Sequence, residues 1–309
     1  MLLLRHLHRV GRRFAAPVLT LGNFDGVHCG HQAILQRLVR RARVAGGDAV
    51  VLTFQPHPAT VLAPSRAPKL ITDWRTRVER IAALGVDAII IERFTRAFSE
   101  VTAEDFARRF LVENLGVRAV VVGHRVSFGH NRGGDAERLR EFGARYGFAV
   151  EVVGPVEVGG ALVSSSAVRH AIRAGELDRA RALLGHAISV AGRVVHGRHR
   201  GRGLGFPTAN LRMSGLVLPP DGVYAVRVLH REQSLRGVAN LGFNPTFEDH
   251  ERSLEVHVLD IDANLYGQRL EVTFVQRLRG EVKFPNPQAL VAQIARDVAT
   301  ARQVLADAE

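Results

Sequence analysis

A single cysteine, Cys29, is all the thiol that the 309-residue sequence carries. That excludes an intrachain disulfide framework and fits a reducing cytoplasm. No apolar run approaches membrane length, and the three leucines before Arg5 are too few for the core of a signal peptide. Internal repeats and low-complexity tracts are missing too. Lys and Arg number 42 against 30 Asp and Glu, a formal net charge of +12. The cations are scattered, with no long basic block and little aromatic interleaving, which argues against a nucleic-acid partner and leaves anionic small molecules or simply an Arg-rich proteome. These absences together describe a soluble cytoplasmic protein with no membrane partner.

What is present is ordinary globular material, 46% apolar, long enough for one large domain or two of common size. After a basic, weakly patterned stretch over residues 1–16, an arm or an extra strand, short apolar runs alternate with helical periods. The pattern predicts strands over 18–21, 49–54, 88–91, 119–123 and 149–153, and helices over 31–45, 73–83, 103–115 and 136–146. Strands alternating with helices imply a doubly wound parallel α/β sheet, whose ligands sit beyond the carboxyl ends of the strands. Further helices are expected after Ser164 and over 177–184. Beyond Gly185 the pattern changes to strands near 188–195, 222–229, 235–239, 254–259 and 270–278, joined by Gly, Pro, Asn and Asp turns. Only 288–305 is helical there. That is an antiparallel sheet or small barrel with a C-terminal helix. The boundary falls between 17–185 and 186–309.

The stretch Leu19–Leu38, LTLGNFDGVHCGHQAILQRL, organises the first half. A buried strand runs into a Gly-rich turn containing Asn23, and His28 and His31 bracket Gly30 at the start of an amphipathic helix. A helix N-terminus offers free amides and partial positive charge, and a glycine there lets a phosphate approach the backbone. Two histidines three apart would stabilise charge building on a nucleotide α-phosphate. The alternative is a pair of structural turn histidines. A zinc pair lacks its remaining ligands, and Cys29 between the histidines has no partner base that would make it a nucleophile.

Four other segments carry chemistry. Ser164-Ser165-Ser166 with Arg169 one turn on suits the outer phosphates of a triphosphate, or simply caps a helix. Phe54-Gln55-Pro56-His57-Pro58 serves equally as pocket wall or strand terminator. Gly201, Gly203 and Gly205 precede Pro207-Thr208-Ala209-Asn210 and open no predicted helix, so a dinucleotide fingerprint fails and a loop closing over phosphates is the better reading. The Thr208 hydroxyl and Asn210 amide oxygen are hard ligands suited to Mg²⁺. Glu255 and His257, two apart in a strand, share a face, and a carboxylate in a phosphate site can accept a proton from an attacking hydroxyl.

Taken in order, GNFDGVHCGHQ, FQPHP, VVG…FGHNRGGD, SSSAVR, LGFPTAN, GVYAV, GVANLGFNPTF, LEVHVLD, LYG and LRGEVKF resemble the prokaryotic bifunctional riboflavin kinase/FMN adenylyltransferases, or FAD synthetases, over residues 17–302. The resemblance implies an N-terminal nucleotidyltransferase domain and a C-terminal six-stranded antiparallel β-barrel kinase with a C-terminal helix. It implies riboflavin, FMN, FAD and ATP as substrates and products, with Mg²⁺ required. By the same resemblance Thr208 and Asn210 bind metal and phosphates, Glu255 is the kinase base, and Arg279 and Phe284 lie at the flavin. His28 and His31, with Ser164, Ser165 and Arg169, would hold the ATP that adenylylates FMN, and Phe128 would touch that flavin. The chain departs from the family where Gly-x-Asp-Phe-Arg-Phe-Gly becomes Gly123-His124-Arg125-Val126-Ser127-Phe128-Gly129, and where Thr-Arg after two serines becomes Ser166-Ala167. Both departures fall in the adenylyltransferase half. They raise the alternative of an active kinase with little or no FMN adenylylation. A basic nucleic-acid-binding regulator is a rival resting on the net charge alone.

Overall fold

A computed structural model describes residues 1–11, 13–196, 205–213, 215–243, 252–261 and 263–307. The chain divides into two compact units, residues 1–69 with 74–165, and residues 70–73 with 166–309. Gly201 and Gly203 lie outside the described residues. Among those described, no helix is long and apolar enough to cross a membrane.

The first unit is a six-stranded parallel sheet in the order β1-β4-β3-β2-β5-β6, formed by Leu2–Arg5 (β1), Val18–Leu21 (β2), Ala49–Gln55 (β3), Ala88–Arg93 (β4), Ala119–Gly123 (β5) and Ala149–Val153 (β6). The N-terminal stretch thus supplies an edge strand, with Leu2 opposite Ala88 and Arg5 opposite Ile91. Central strands are buried on both faces, as the continuous apolar runs required. One face sends Val18, Val51, Ile89 and Val121 onto Leu35 and Leu38 of α1 (Cys29–Val44) and Ile81 of the helix Trp74–Ala82. The other sends Leu19, Leu52, Ile90 and Val120 onto Leu111, Leu139 and Phe142. The last two residues ride the helix Ala136–Tyr146, capped by Asp135, whose carboxylate accepts from the amides of Glu137 and Arg138. The helical run predicted over 103–115 begins as a short α-helix and widens into a π-helix at Phe106–Asn114.

In the second unit six strands close into an antiparallel barrel, β10-β13-β12-β11-β14-β9. These are Ser189–Val195 (β9), Ala209–Arg212 (β10), Gly222–His230 (β11), Gln233–Phe243 (β12), Arg252–Val258 (β13) and Arg269–Arg279 (β14); β7 (Glu157–Val158) and β8 (Ala161–Leu162) form a small hairpin of the first unit. The hydrophobic pattern missed β10, which is only four residues long. Alternation along the strands fills the barrel with Tyr224, Val226, Leu254, Val256 and Phe274, all buried. The opposite face turns Val223, Ala225 and Val238 to Ala301 and Leu305 of the C-terminal helix Pro287–Asp307. The helices Ser165–Ala174 and Leu177–Leu184 precede the barrel.

Gly129 packs closely against Ala103. Its φ is +72°, and a Cβ there would stand 2.5 Å from the Ala103 nitrogen. Gly147 also has a positive φ, +81°, but faces open space. Gly129→Ala should therefore lower stability by about 2 kcal/mol or more, and Gly147→Ala by only about 1. Denaturant titration of the two variants checks this; equal midpoints would contradict the close approach.

Candidate functional sites

The first site is built at the carboxyl edge of the parallel sheet. β2 ends at Leu21, and the chain turns through Phe24 and Val27, whose φ values of +49° and +43° lie in the left-handed region. Such backbone costs about 1–3 kcal/mol per residue and persists only where its surroundings enforce it. Here the Val27 backbone amide donates to the Phe24 carbonyl at 3.1 Å, the Gln32 side-chain Nε2 donates to the Val27 carbonyl at 2.9 Å, and the Phe24 and Val27 side chains are buried. The turn delivers His28 as the N-cap of α1, its Nδ1 accepting the His31 backbone N–H at 3.3 Å. In the neutral ring this leaves the proton on Nε2. The imidazoles of His28 and His31 stack, centroids 3.5 Å apart and 15° from parallel, and Phe24 meets His31 edge-on at 5.3 Å. A Cβ on Gly30 would come within 3.3 Å of the His28 ring, so the glycine makes room for it.

Asn23 is held from the other side by a signal the sequence did not offer. Arg77, buried on the helix Trp74–Ala82, donates to the Asn23 carbonyl at 2.9 Å. The Asn23 side-chain oxygen is itself buried without a hydrogen-bond partner. Ser165 donates to the Asp25 carbonyl at 3.4 Å, which ties the serine segment to the same turn. Ser164 lies just before that helix. Arg169 is buried on it, within the part of the helix that clusters with the second unit. Burial pushes the Cys29 thiol above its ordinary pKa, which keeps it protonated and a poor nucleophile at neutral pH.

Beside this turn lies a cavity of about 880 Å³ that includes Asn23, Phe54, His57, Phe98, Arg125 and Phe128 in its lining. His28 and His31 are not part of that lining. Phenylalanines give it continuous aromatic walls: Phe54 meets Phe98 at 6.0 Å, Phe98 meets Phe106 at 6.5 Å and Phe106 meets Phe128 at 5.6 Å. Phe128 is buried, its backbone paired with Gly134 and its ring where a Gly134 Cβ would stand. The Phe54–Pro58 segment, ambiguous in the sequence, is therefore a wall of this cavity.

The second site occupies the outer face of the barrel beside the C-terminal helix. Cross-strand register aligns Asn240 of β12 with Glu255 of β13, and Glu255 with Asn210 of β10. Directly opposed residues in an antiparallel pair share a face, so the three form one polar row. Asn240, Glu255 and His257 line a cavity of about 630 Å³ with Thr208, Arg279 and Phe284. His257 Nδ1 lies 2.8 Å from the Pro207 carbonyl, which ties β13 to the segment before Thr208. Thr208 also borders a second hollow of about 370 Å³ that ends at Asn264 and Tyr266. The Asn210 side-chain oxygen is buried with no hydrogen-bond partner. Gly205, at φ +84°, has open space around it.

Arg279 lines the cavity but is already engaged. Its guanidinium donates to buried Asp297 of the C-terminal helix at 2.8–3.1 Å, and its charge sits 5.7 Å over the Phe284 ring. Asp297 in turn accepts from Gln293 at 2.8 Å. Neither Asn240 nor Asp297 was picked out from sequence. Asn240 shows its role only through strand register, and Asp297 looks like one more charge in an amphipathic helix.

Comparison with known proteins gives a consistent result. A family model for FAD synthetase matches residues 12–167, and one for riboflavin kinase matches residues 184–305. The chain is 42% identical over 308 residues to the bifunctional riboflavin kinase/FMN adenylyltransferase of Escherichia coli strain K12, covering 98% of this chain and 97% of that one. It is 42% identical over 311 residues to the protein of the same description from Pseudomonas fluorescens, covering 99% and 98%. A solved structure described as a macrolide-efflux protein from Streptococcus pneumoniae is similar at 31% identity and a TM-score of 0.86, covering 98% of this chain and 99% of that one.

Two outcomes follow from the geometry. Asp297→Ala should leave Arg279 partly buried without its counter-charge and destabilise the barrel unit by about 2–3 kcal/mol, less than for a fully buried pair because Arg279 is partly exposed. An unfolding curve resolved for the barrel unit measures it, and no shift would mean the pair is idle. Cys29 should alkylate more slowly at pH 8 than a free cysteine, and its rate should climb at a higher pH than the free thiol's; equal rates would place the thiol in an unperturbed setting.

Proposed function

Because this chain belongs to the bifunctional riboflavin kinase/FMN adenylyltransferase family, we propose that it phosphorylates riboflavin to FMN with ATP and adenylylates FMN with a second ATP, giving FAD and pyrophosphate. We assign the kinase step to residues 186–309 and the adenylyl transfer to residues 17–185. The observation that carries the reading is the polar row of Asn210, Glu255 and Asn240 on the barrel face, of which Glu255 and Asn240 line a cavity with aromatic and aliphatic walls.

In the kinase step the isoalloxazine ring occupies the larger hollow against Phe206, Val223 and Phe284, and the nucleotide occupies the smaller one. Thr208, which borders both, stands where the two substrates meet. Glu255 takes the proton of the ribityl 5′-hydroxyl as its oxygen forms a bond to the γ-phosphorus and the bond to the ADP oxygen breaks. Thr208 and Asn210 fit Mg²⁺: both present neutral oxygen donors, and the partnerless Asn210 oxygen is the kind of group a hard cation satisfies. When bound, the ion neutralises phosphate charge. Arg279, fixed by Asp297, positions Phe284 against the flavin.

In the second step an FMN phosphate oxygen attacks the α-phosphorus of ATP and pyrophosphate leaves. The α1 N-terminus with His28 and His31 stabilises the charge that develops, Gly30 lets the phosphate approach, and Asn23, Ser164, Ser165 and Arg169 complete the nucleotide contacts. The flavin lies in the phenylalanine-walled cavity against Phe128. The partners are small molecules, riboflavin, FMN, FAD and ATP, in a reducing cytoplasm that suits the lone thiol.

Single substitutions separate the sites. Glu255→Gln should cut FMN formation by about 10²–10⁴-fold while FAD synthesis from supplied FMN continues. His31→Ala should do the reverse. If either change removes both activities from a folded protein, the two-site assignment is wrong.

A further inference from the structure

Arg96, Arg125 and Arg132 line the same cavity of the first unit, the one walled by phenylalanines. None of the three side chains forms an ion pair or hydrogen bond among the described residues. The acidic residue in that lining is Glu100, which lies 3.3 Å from His130. Three uncompensated guanidiniums around one mouth repel one another and concentrate positive potential there.

Their placement is specific. β5 is the sheet neighbour of β2, and the end of β5 closes on α1: a Cβ on Gly123 would stand 2.9 Å from the Ile34 side chain. Ile34 lies one turn beyond His31. Arg125, two residues after Gly123, therefore starts from the sheet edge beside the first turn of α1. Arg132 is carried by a stiff loop. Asn131 and Arg132 have φ values of +50° and +57°, the His130 amide donates to the Val101 carbonyl at 2.7 Å, and Phe128 and Gly134 pair through both backbone hydrogen bonds. The cavity thus joins flat apolar walls to a cationic rim beside the histidine turn.

We propose that Arg125, with Arg96 and Arg132 beside it, binds the phosphoryl group of the flavin acceptor and so selects FMN over riboflavin in the adenylyltransferase site. The proposal rests on the function proposed above. A guanidinium matches a phosphate with two parallel hydrogen bonds, and a ligand with a tricyclic ring and one phosphomonoester satisfies walls and rim together. The triphosphate of ATP is the other source of a phosphoryl group, and kinetics distinguish the two.

The test uses the full chain. FMN and riboflavin are titrated into wild type, Arg125→Gln and Arg125→Lys without ATP. The barrel site contributes equally to all three, so differences report the first unit. Arg125 is exposed, and its side chain forms no ion pair or hydrogen bond among the described residues, so the glutamine variant should keep the wild-type melting curve. The expected result is FMN binding weakened about tenfold or more in Arg125→Gln, riboflavin binding changed less than about twofold, and only part of the loss recovered by lysine, which keeps the charge but not the paired donors. The KM for FMN in FAD synthesis should rise in step while that for ATP stays put. Equal weakening of FMN and riboflavin, no weakening of either, or a rise confined to the KM for ATP overturns the proposal. Wild-type protein that makes no FAD defeats the function proposed above, and the FMN titration still decides the role of Arg125.

Discussion

An amide oxygen buried without a hydrogen bond costs a folded protein about 1–3 kcal/mol, and this chain carries that cost at Asn23 and at Asn210. Each asparagine is pinned by its backbone: Asn23 by the Arg77 guanidinium on its carbonyl, Asn210 by ladder partners on both flanking strands. In each case a backbone group is held and the side-chain oxygen has no partner among the described residues. Much of what surrounds them exists to hold them there, the left-handed turn and histidine cap in one unit and the closed barrel in the other. A cation or a water O–H that reached these oxygens would recover that free energy.

The two units solve the same problem by different routes. The parallel sheet places its candidate site where strand ends meet a helix N-terminus, which offers a phosphate backbone amides and imidazoles. The barrel site instead draws on side chains from three neighbouring strands, and the start of the C-terminal helix lines its cavity through Leu290. Closing the barrel fixes the register that aligns Asn210, Glu255 and Asn240, and the C-terminal helix covers the apolar remainder of that face through Ala301 and Leu305.

Much of this was legible in the residues. The 3.6-residue period and the continuous apolar runs located the sheet, its helices and the carboxyl edge where His28 and His31 lie. The Glu255–His257 spacing put both on one face, as observed. What escaped was non-local. β10 is too short to show a period and exists through its neighbours β9 and β13. Arg77 is a buried cation on a helix whose outward pattern looks solvated. The Arg279–Asp297 pair joins a strand to a helix eighteen residues later, and nothing in either local sequence announces it. Arg125 was visible as a departure from the family's carboxylate, but its two cationic neighbours were not: Arg96 follows β4, and nothing local shows that Arg132, on the same connection as Arg125, lines the same cavity.

The central claim is that one chain holds two chemically separate sites acting on successive forms of one flavin. Chromatographic product analysis of the purified protein with Mg²⁺ and ATP, given riboflavin in one tube and FMN in another, tests it most directly. The account predicts FMN from riboflavin and FAD from FMN. If FMN accumulates in the first tube and no FAD forms in either, the parallel-sheet unit does not adenylylate FMN and the account is contradicted.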